Sequence, residues 1–544
     1  MRRLRSMRGR TLSEDEGRER KIPLIRLSSL IGWIRVSRAD ILLFVFAAVA
    51  TLLSCAHYIG ILLTWTDVGF TLDDSWIHLQ FARTIFEGRP WEYSAGVPSA
   101  GATSPLWAIT LSSVFLFTQD GTGVVIGTYV IAILFYVGSS FLVGHLTNSY
   151  TGHGIWGYPA IVGFLLVPRN TWLMLSGMEL PIFMFTILLA VTFLERDGSK
   201  NDILMGIACG LVYLSRPEGL LVVAFCYVLR ITRIWESGAL DRERAPHIMV
   251  MLMASVLVVL PWVLHCLSIN GTPLPDTFFA KVHGPTQWDI DVWNFWWNVW
   301  LIDLPFIIAG IAGGAYLLAK GRTGSSVLWA FAVGLITLYR LNMPMQALIN
   351  NARYLVPVFN ILQILTTAAI GVMAEGLAAT IERPEHKREI RVLGVLLVLV
   401  LVIPSTVGYV EQADIYGNSV KNINEQQVVI GRWLAENTPE NATLAMIDAG
   451  GIAFFSNRTT IDLVGLTTPD MVHLNMTPRE KLIYIRDRNC SYIVTFNAWF
   501  WPWSNELHQG WEVLFTVYLP DNIISGADMK SVYFIDWALT DLAP

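Results

Sequence analysis

The chain has 544 residues, of which 53% are hydrophobic and only 15% are charged, and its formal net charge is −5 at pH 7. A mean hydropathy of +0.49 excludes an ordinary soluble globular protein. We therefore expect a mainly α-helical, polytopic membrane protein with no nucleic-acid partner.

The N-terminal tail, residues 1–38, is strongly basic. It holds eleven Arg and Lys residues against four acidic residues, and 11 − 4 gives a charge of +7. Basic segments next to membrane spans remain on the cytoplasmic side, so this tail should be cytoplasmic. No short apolar core with a small-residue cleavage site follows it, so we expect no removable signal peptide.

Eleven apolar runs in the next part of the chain, residues 39–410, are long enough to span a membrane, although some are short or tilted. They fall near residues 40–65, 122–146, 155–175, 179–194, 203–215, 217–231, 247–268, 296–319, 325–341, 353–379 and 391–410. The boundary between the fifth and sixth runs, at Arg216-Pro217, is uncertain. Basic loops after residues 194, 231, 319 and 380 should all face the cytoplasm. For all four loops to lie on the same side as the N-terminal tail, residues 104–118 must not cross the membrane.

From residue 411 to residue 544 the composition becomes that of a soluble domain. Eleven spans that begin in the cytoplasm end outside, so this domain should face the exterior. Its pattern predicts an amphipathic helix over 426–437, a strand over 443–447, a turn at Gly450-Gly451, a helix over 481–489 and a strand over 492–496. We expect a small exterior α/β domain. The five cysteines are too scattered for a disulfide framework or a cysteine-based metal site.

The first exterior loop, residues 65–103, contains two adjacent acids, Asp73 and Asp74, just after the first span. A carboxylate at the edge of the lipid is costly to desolvate, which points to water, a cation or a reacting hydroxyl as its partner. A helix N-cap is the structural alternative, but it needs only one acid. The apolar residues from Ser75 to Glu87 fall on one side of a helix, which should lie on the membrane surface.

Several motifs occur in a fixed order along the membrane part. The first loop holds Leu72-Asp73-Asp74-Ser75-Trp76-Ile77-His78, and Thr103-Ser104-Pro105-Leu106-Trp107 follows it. The later motifs are Ser176-Gly177-Met178-Glu179, Ser215-Arg216-Pro217-Glu218-Gly219, the segment from Pro273 to Lys281, and Ala352-Arg353-Tyr354-Leu355-Val356-Pro357. Together they resemble the GT-C superfamily of membrane glycosyltransferases, and most closely those that use polyprenyl- or dolichyl-phosphate sugars to transfer mannose or arabinofuranose.

The resemblance implies a catalytic role for Asp73, the first acid of the pair. A carboxylate there would accept the proton of an acceptor hydroxyl, and Asp74 would orient the acceptor or hold a metal. The leaving lipid phosphate needs cations, and three lie at the predicted exterior ends of spans: Arg216, Lys281 and Arg353. The other candidate substrate-binding residues are Glu218, Tyr354, Glu179 and His78.

These features predict an inverting glycosyltransferase of the multi-pass type, in the cell membrane, that moves a sugar from a lipid carrier to an exterior glycan, lipid or protein acceptor. Two alternatives remain at this point. A transporter or flippase of lipid-linked material would also carry charges at broken spans, and a non-catalytic glycan-binding scaffold would retain the exterior domain. No cofactor is required by the sequence, and a divalent metal, Mg²⁺ or Mn²⁺, stays open because two acids need further oxygen ligands.

Overall fold

The computed structural model describes residues 37–236, 245–282, 304–343, 347–474, 476–497 and 510–540. Within these residues the predicted mainly helical fold with a small C-terminal α/β region is confirmed. The helices of the membrane part are α1 (Arg38–Trp65), α2 (Asp74–Phe86), α3 (Pro105–Ser112), α4 (Gly121–Thr151), α5 (Gly157–Leu166), α6 (Asn170–Met174), α7 (Leu180–Leu194), α8 (Ser199–Ser215), α9 (Leu220–Glu236), α10 (Ala245–Asn270), α11 (Asp276–Val282), α12 (Leu304–Ala319), α13 (Thr323–Asn342), α14 (Val356–Ala379) and α15 (Pro384–Ile423).

Six helical segments in the described part of the chain are long and apolar enough to cross a membrane. They are Arg38–Trp65, Gly121–Thr151, Ile248–Asn270, Thr323–Asn342, Ile349–Ala379 and Pro384–Asn437. Large apolar side chains on these helices are exposed, such as Leu53 on α1 (66%) and Ile403 on α15 (61%). Side chains of this kind face lipid at low cost, and the chain is an integral membrane protein.

The predicted span over 155–175 is wrong as a single helix. It is divided into α5 and α6 by Val167, Pro168 and Arg169. Proline lacks an N–H and disfavours helical geometry in the residue before it, and Val167 is accordingly extended (φ −55°, ψ 122°). Arg169 then adopts a left-handed conformation (φ 58°). The other predicted spans coincide with helices, except that residues 296–303 lie outside the described residues.

The segment Ser104–Thr118 contains α3 and a following 3-10 turn, Ser113–Leu116. Eight α-helical residues rise only about 12 Å, far less than the hydrocarbon core of a bilayer. The α-helix and the 3-10 turn together form one short apolar helix, Pro105–Leu116, and the expectation that it does not cross the membrane stays a prediction.

Helix α2 is enclosed by protein and does not lie on the membrane surface as predicted. Nine of its residues are buried, including the polar His78 and Gln80. Trp76 on this helix stacks against Phe454 and Phe455 of the C-terminal domain, with ring centroids 5.0 and 4.7 Å apart. The C-terminal domain thus packs on Trp76, on the apolar side of the helix that was expected to face the membrane.

Helix α15 has 40 residues and is about 60 Å long, roughly twice the thickness of the apolar core of a bilayer. The predicted domain boundary at residue 411 falls inside it. The helix continues through a π turn, Asn424–Val428, into α16 (Val429–Asn437). One continuous helical segment therefore joins the membrane part to the C-terminal domain.

The C-terminal domain is built on a five-stranded mixed sheet. Its elements are β3 (Thr443–Met446), α17 (Gly451–Ser456), β4 (Thr459–Asp462), α18 (Asp470–His473), α19 (Pro478–Asp487), β5 (Cys490–Phe496), β6 (Trp511–Tyr518) and β7 (Met529–Ile535). The strand order is β4-β3-β5-β7-β6, with β3 parallel to β4 and β5, and with β7 antiparallel to β5 and β6. Buried aliphatic residues from β3 and β5 face α16 on one side and α19 on the other.

The first loop contains a two-stranded hairpin, which consists of β1 (Glu92–Ser94) and β2 (Val97–Pro98).

Candidate active site

Asp73 lies at the start of α2 and is 9% exposed. It makes no helix-cap hydrogen bond, so the N-cap alternative does not describe it. Its carboxylate instead accepts hydrogen bonds from the backbone N–H groups of Gly450 and Gly451, both at 2.7 Å. Gly450 ends the turn after β3 and Gly451 is the first residue of α17, so the C-terminal domain holds the first acid of the pair.

The electrostatic environment of Asp73 also comes from the C-terminal domain. Burial and then the negative charge of Asp448 raise the pKa of the Asp73 carboxyl above its usual value, whereas Lys530 and the glycine amides oppose that rise. Lys530 is fully buried and donates to Asp448 at 3.1 Å. A carboxylate with a raised pKa is a stronger base at neutral pH than an ordinary one.

Asp74 points in a different direction, toward a cavity in the membrane part. Its carboxylate accepts a hydrogen bond from Arg353 Nη2 at 2.6 Å. Arg353 lies just before α14. It directly follows three residues with positive φ angles, Asn350 to Ala352. The guanidinium also contacts the Tyr354 hydroxyl at 3.2 Å and lies over the ring of Tyr354.

Arg216 owes its place to the proline that follows it. The residue before proline avoids helical geometry, so α8 ends at Ser215 and Arg216 is extended (φ −160°, ψ 138°). Its Nη1 donates to Glu179 at 2.8 Å, and its Nη2 donates to Glu218 at 3.1 Å. Tyr339 also donates to Glu218. Two carboxylates therefore neutralise this arginine.

His78 and Glu179 form the other side of this network. His78 Nε2 is 3.1 Å from Glu179 Oε2, and among the described residues its buried Nδ1 has no hydrogen-bond partner. Glu179 is held at the start of α7 because the turn before it packs on α2 and α3: Ser75 of α2 donates to the Ser176 carbonyl at 2.7 Å, and Trp107 of α3 donates to the Gly177 carbonyl at 2.9 Å.

A cavity of about 410 Å³ brings most of these groups together. Seven of the nine predicted site residues line it: Asp74, His78, Glu179, Arg216, Glu218, Arg353 and Tyr354. The rest of its wall is largely apolar and includes Ile77, Met178, Leu220, Leu221, Leu274, Phe278, Leu338, Met343 and Leu466. Asp73 does not line it, and the side chain of Lys281 lies outside the described residues.

The two arginines that line the cavity differ in how many guanidinium nitrogens already donate a hydrogen bond. Arg353 has two buried nitrogens, Nε and Nη1, with no hydrogen-bond partner among the described residues. Arg216 uses all three of its guanidinium nitrogens on Glu179 and Glu218. A buried arginine with unsatisfied N–H groups is costly without an anion, so Arg353 is suited to bind one from the cavity.

The predicted acid pair does not fit a divalent metal. The oxygens of Asp73 face backbone amides, and Asp74 is paired with an arginine. Across the described residues, no group of three or more His, Cys, Asp or Glu side chains has the spacing of a metal site. All five cysteines, each of which the structure describes, are buried and unpaired.

Sequence reasoning missed the contributions of the C-terminal domain. Gly450 and Gly451 were predicted as a turn but not as partners of Asp73, and neither Asp448 nor Lys530 was a candidate. Asp276 at the start of α11 is likewise bonded to His473 of the C-terminal domain at 2.9 Å. A turn of two glycines after a strand is a weak signal for close backbone approach, and only the fold identifies its partner.

The fold is GT-C-like, as predicted, and solved structures share it. ArnT from Cupriavidus metallidurans in the apo state has a TM-score of 0.53 at 13% identity, over 89% of this chain and 97% of that chain. The same protein bound to undecaprenyl phosphate has a TM-score of 0.54 at 13% identity, over 91% and 97%. The oligosaccharyltransferase of Archaeoglobus fulgidus in the apo form has a TM-score of 0.56 at 14% identity, over 91% and 75%.

A match at the level of sequence lies in the C-terminal domain. A family model described as a domain of unknown function (DUF8728) matches residues 421–534. The sequence has no match among curated proteins. At 13–14% identity, the structural similarity establishes the GT-C fold, and the assignment of an activity has to come from the site.

Proposed function

We propose that this chain is an inverting glycosyltransferase that moves a sugar from a polyprenyl-phosphate carrier to an acceptor on the exterior face of the membrane. The observation that supports it most directly is Arg353, which lines a largely apolar cavity together with three carboxylates and has two buried guanidinium nitrogens without a hydrogen-bond partner among the described residues. A lipid phosphate matches this combination, because its chain is apolar and its headgroup is an anion.

The chemistry is a single displacement. The acceptor hydroxyl oxygen attacks the anomeric carbon while the bond from that carbon to the phosphate oxygen breaks, and the electron pair leaves with the phosphate. Asp73 accepts the hydroxyl proton; because Asp73 does not line the cavity, the acceptor has to approach it from outside the cavity that holds the donor phosphate. Each carboxylate oxygen has two lone pairs, so the glycine N–H bonds leave one acceptor position on each oxygen. No general acid is needed because the phosphate leaves as an anion.

The cavity groups have separate roles in this proposal. Arg353 binds the phosphate with Nε and Nη1, and Asp74 fixes the guanidinium in that orientation. Arg216 keeps Glu179 and Glu218 ionised and close to the substrate, with His78 bonded to Glu179. The ArnT structure with undecaprenyl phosphate supports a polyprenyl carrier for this fold.

The test is direct turnover. Purified protein in lipid nanodiscs is incubated with mannose and arabinofuranose linked to undecaprenyl phosphate, and release of the free lipid phosphate is followed with and without added acceptor glycans. We expect acceptor-dependent release, which Arg353→Ala reduces. Movement of intact carrier between leaflets without release would instead identify a flippase, and binding without either would identify a scaffold.

The proposed orientation has a test of its own. All native cysteines are buried, so the background of labelling is low. Glu440 in the C-terminal domain and Arg388 at the start of α15 are both exposed. We expect an impermeant maleimide to label Glu440→Cys only from outside and Arg388→Cys only from the cytoplasm. The reverse pattern would overturn the parity of the spans.

A further inference from the structure

We infer that the C-terminal domain of this chain positions the catalytic carboxylate of the membrane part, through the backbone of Gly450 and Gly451 and the charges of Asp448 and Lys530. This assigns a role to the domain that matches only a family of unknown function. The inference rests on the proposed function, because it concerns how Asp73 is prepared as the base.

The first support is the hydrogen bonding of Asp73. Both of its oxygens accept from consecutive backbone N–H groups at 2.7 Å. Backbone donors at a turn are fixed by the chain, so they restrict the carboxylate more than a flexible side-chain partner would. The carboxylate is thus held in one orientation by a domain 377 residues further along the sequence.

The second support is the close fit of Gly450 against Asp73. A Cβ added at Gly450 would lie 2.0 Å from the Asp73 carbonyl oxygen and 2.8 Å from Asp73 Oδ2. Gly450 has a negative φ of −78°, so its backbone does not require glycine. The contact with Asp73 is what excludes a side chain there. At Gly451 an added Cβ would lie 3.1 Å from Gln427 Cβ and 3.4 Å from Asp73 Oδ1, which is a looser fit than at Gly450.

The third support is that the turn itself is anchored to the first loop. Tyr93 in the hairpin donates to the Ala449 carbonyl, and Arg83 of α2 donates to the Phe454 carbonyl at 3.1 Å. Ser94 and Thr460 form a further side-chain hydrogen bond at 3.0 Å. These contacts flank the glycines, so the turn and the first loop form one packed unit.

The charges around Asp73 come from two sources. Asp448 and Lys530, bonded to each other at 3.1 Å, approach from the C-terminal domain. On the other side, the titratable groups of the first loop are Tyr93, which interacts electrostatically with Asp73, and Asp74, the neighbour of Asp73 in sequence. Asp448 is in a left-handed conformation (φ 62°), and Gln427 also donates to its carboxylate at 3.3 Å. Asp448 is therefore held in place by two side chains of the C-terminal domain, those of Lys530 and Gln427.

Two charge substitutions should act in opposite directions on the pH profile of kcat/KM. Asp448→Asn removes a negative charge and leaves Lys530 uncompensated, which favours ionised Asp73, so the acidic limb should move to lower pH. Lys530→Met leaves Asp448 uncompensated and should move the limb to higher pH. Each movement should be on the order of one pH unit. Asp487→Asn, an exposed acid of the same domain, is the matched control.

The glycine test measures positioning by the backbone. Gly450→Ala should lower kcat about tenfold to a hundredfold with little change in KM for the lipid-phosphate sugar, because the carboxylate is displaced while the cavity is not. Gly451→Ala should have a smaller effect. Gly376→Ala on α14, where an added Cβ meets nothing within 4 Å, controls for the substitution itself.

A second measurement does not depend on turnover. Infrared difference spectra of the purified full-length protein, titrated with acid, contain an Asp73 carboxyl band that can be assigned by its loss in Asp73→Asn. Its midpoint should move in opposite directions in Asp448→Asn and Lys530→Met. Absence of turnover in the wild type would overturn the proposed function. Turnover in the wild type, with midpoints and profiles unchanged in both variants, would overturn the inference alone.

Discussion

The two adjacent carboxylates of the first loop are held by opposite kinds of partner. Asp74 faces the cavity and is paired with the side chain of Arg353, whereas Asp73 faces the C-terminal domain and is bonded to backbone N–H groups. A side-chain ion pair can rearrange when a ligand enters, but backbone donors in a packed turn cannot. The cavity side is thus built to exchange partners, and the domain side is built to hold an orientation.

Substitution of the two acids is the strongest way to test this comparison. Asp73→Asn should lower kcat by about 10² to 10⁴ while the KM for the lipid-phosphate sugar changes little, because the base is lost but the cavity remains. Steady-state assays of lipid-phosphate release give both constants.

The matched variant is Asp74→Asn, which retains shape and removes only the charge opposite Arg353. It should change donor KM more than kcat. Equal loss of kcat in both variants would mean that the pair works as one unit, and near-normal turnover in Asp73→Asn would transfer the role of the base to Asp74.

The two arginines offer a second contrast. Arg216→Ala leaves buried Glu179 and half-buried Glu218 without their arginine, which should destabilise the fold by about 3 to 5 kcal/mol. Arg353→Ala removes the proposed phosphate donors and should weaken carrier binding about tenfold or more with a smaller effect on unfolding. Thermal unfolding and carrier titration of both variants separate the two roles. The reverse pattern would make Arg216 the phosphate ligand.

Local features of the sequence predicted much of the site. The acid pair at the start of a helix, the chain break at Arg216-Pro217 and the turn at Gly450-Gly451 all occur where expected, since proline and glycine act on their own neighbourhood. The break at Pro168 would have followed from the same rule, but the apolar run around it masks the signal.

Long-range pairing could not be predicted in the same way. Arg216 was expected to bind phosphate, yet Glu179, 37 residues earlier, takes one of its nitrogens. The partners of Asp73 lie 377 and 378 residues away. Helix α2 was expected on the membrane surface because its amphipathic pattern cannot show that the C-terminal domain packs against its apolar side. Tertiary packing, and not local propensity, decides these contacts.

The raised pKa of Asp73 predicts a pH dependence with a definite sign. The base must be ionised, so kcat/KM should fall about tenfold for each pH unit below the Asp73 pKa of about 7 and level off above it. The contribution of this group to stability runs the other way. Its folded pKa exceeds the ordinary value of 3.8, so that contribution is full below pH 3.8 and is lost as the pH rises through 7. A flat profile between pH 5 and 8 would contradict the assignment.

The smallest expected effect concerns the second contact of the C-terminal domain with the cavity wall. His473 bonds to buried Asp276 at 2.9 Å, and Asn270 donates to the same oxygen at 2.9 Å. The next residues of α11, Thr277 and Phe278, line the cavity. His473 is 31% exposed, so its bond contributes only about 0.5 to 1 kcal/mol. His473→Ala should therefore lower thermal stability slightly and raise the donor KM a fewfold, since Asn270 still holds the helix. His473→Gln, which keeps a donor, should restore part of both. A loss of kcat as large as that of Gly450→Ala would show instead that α11 carries a group of the reaction itself.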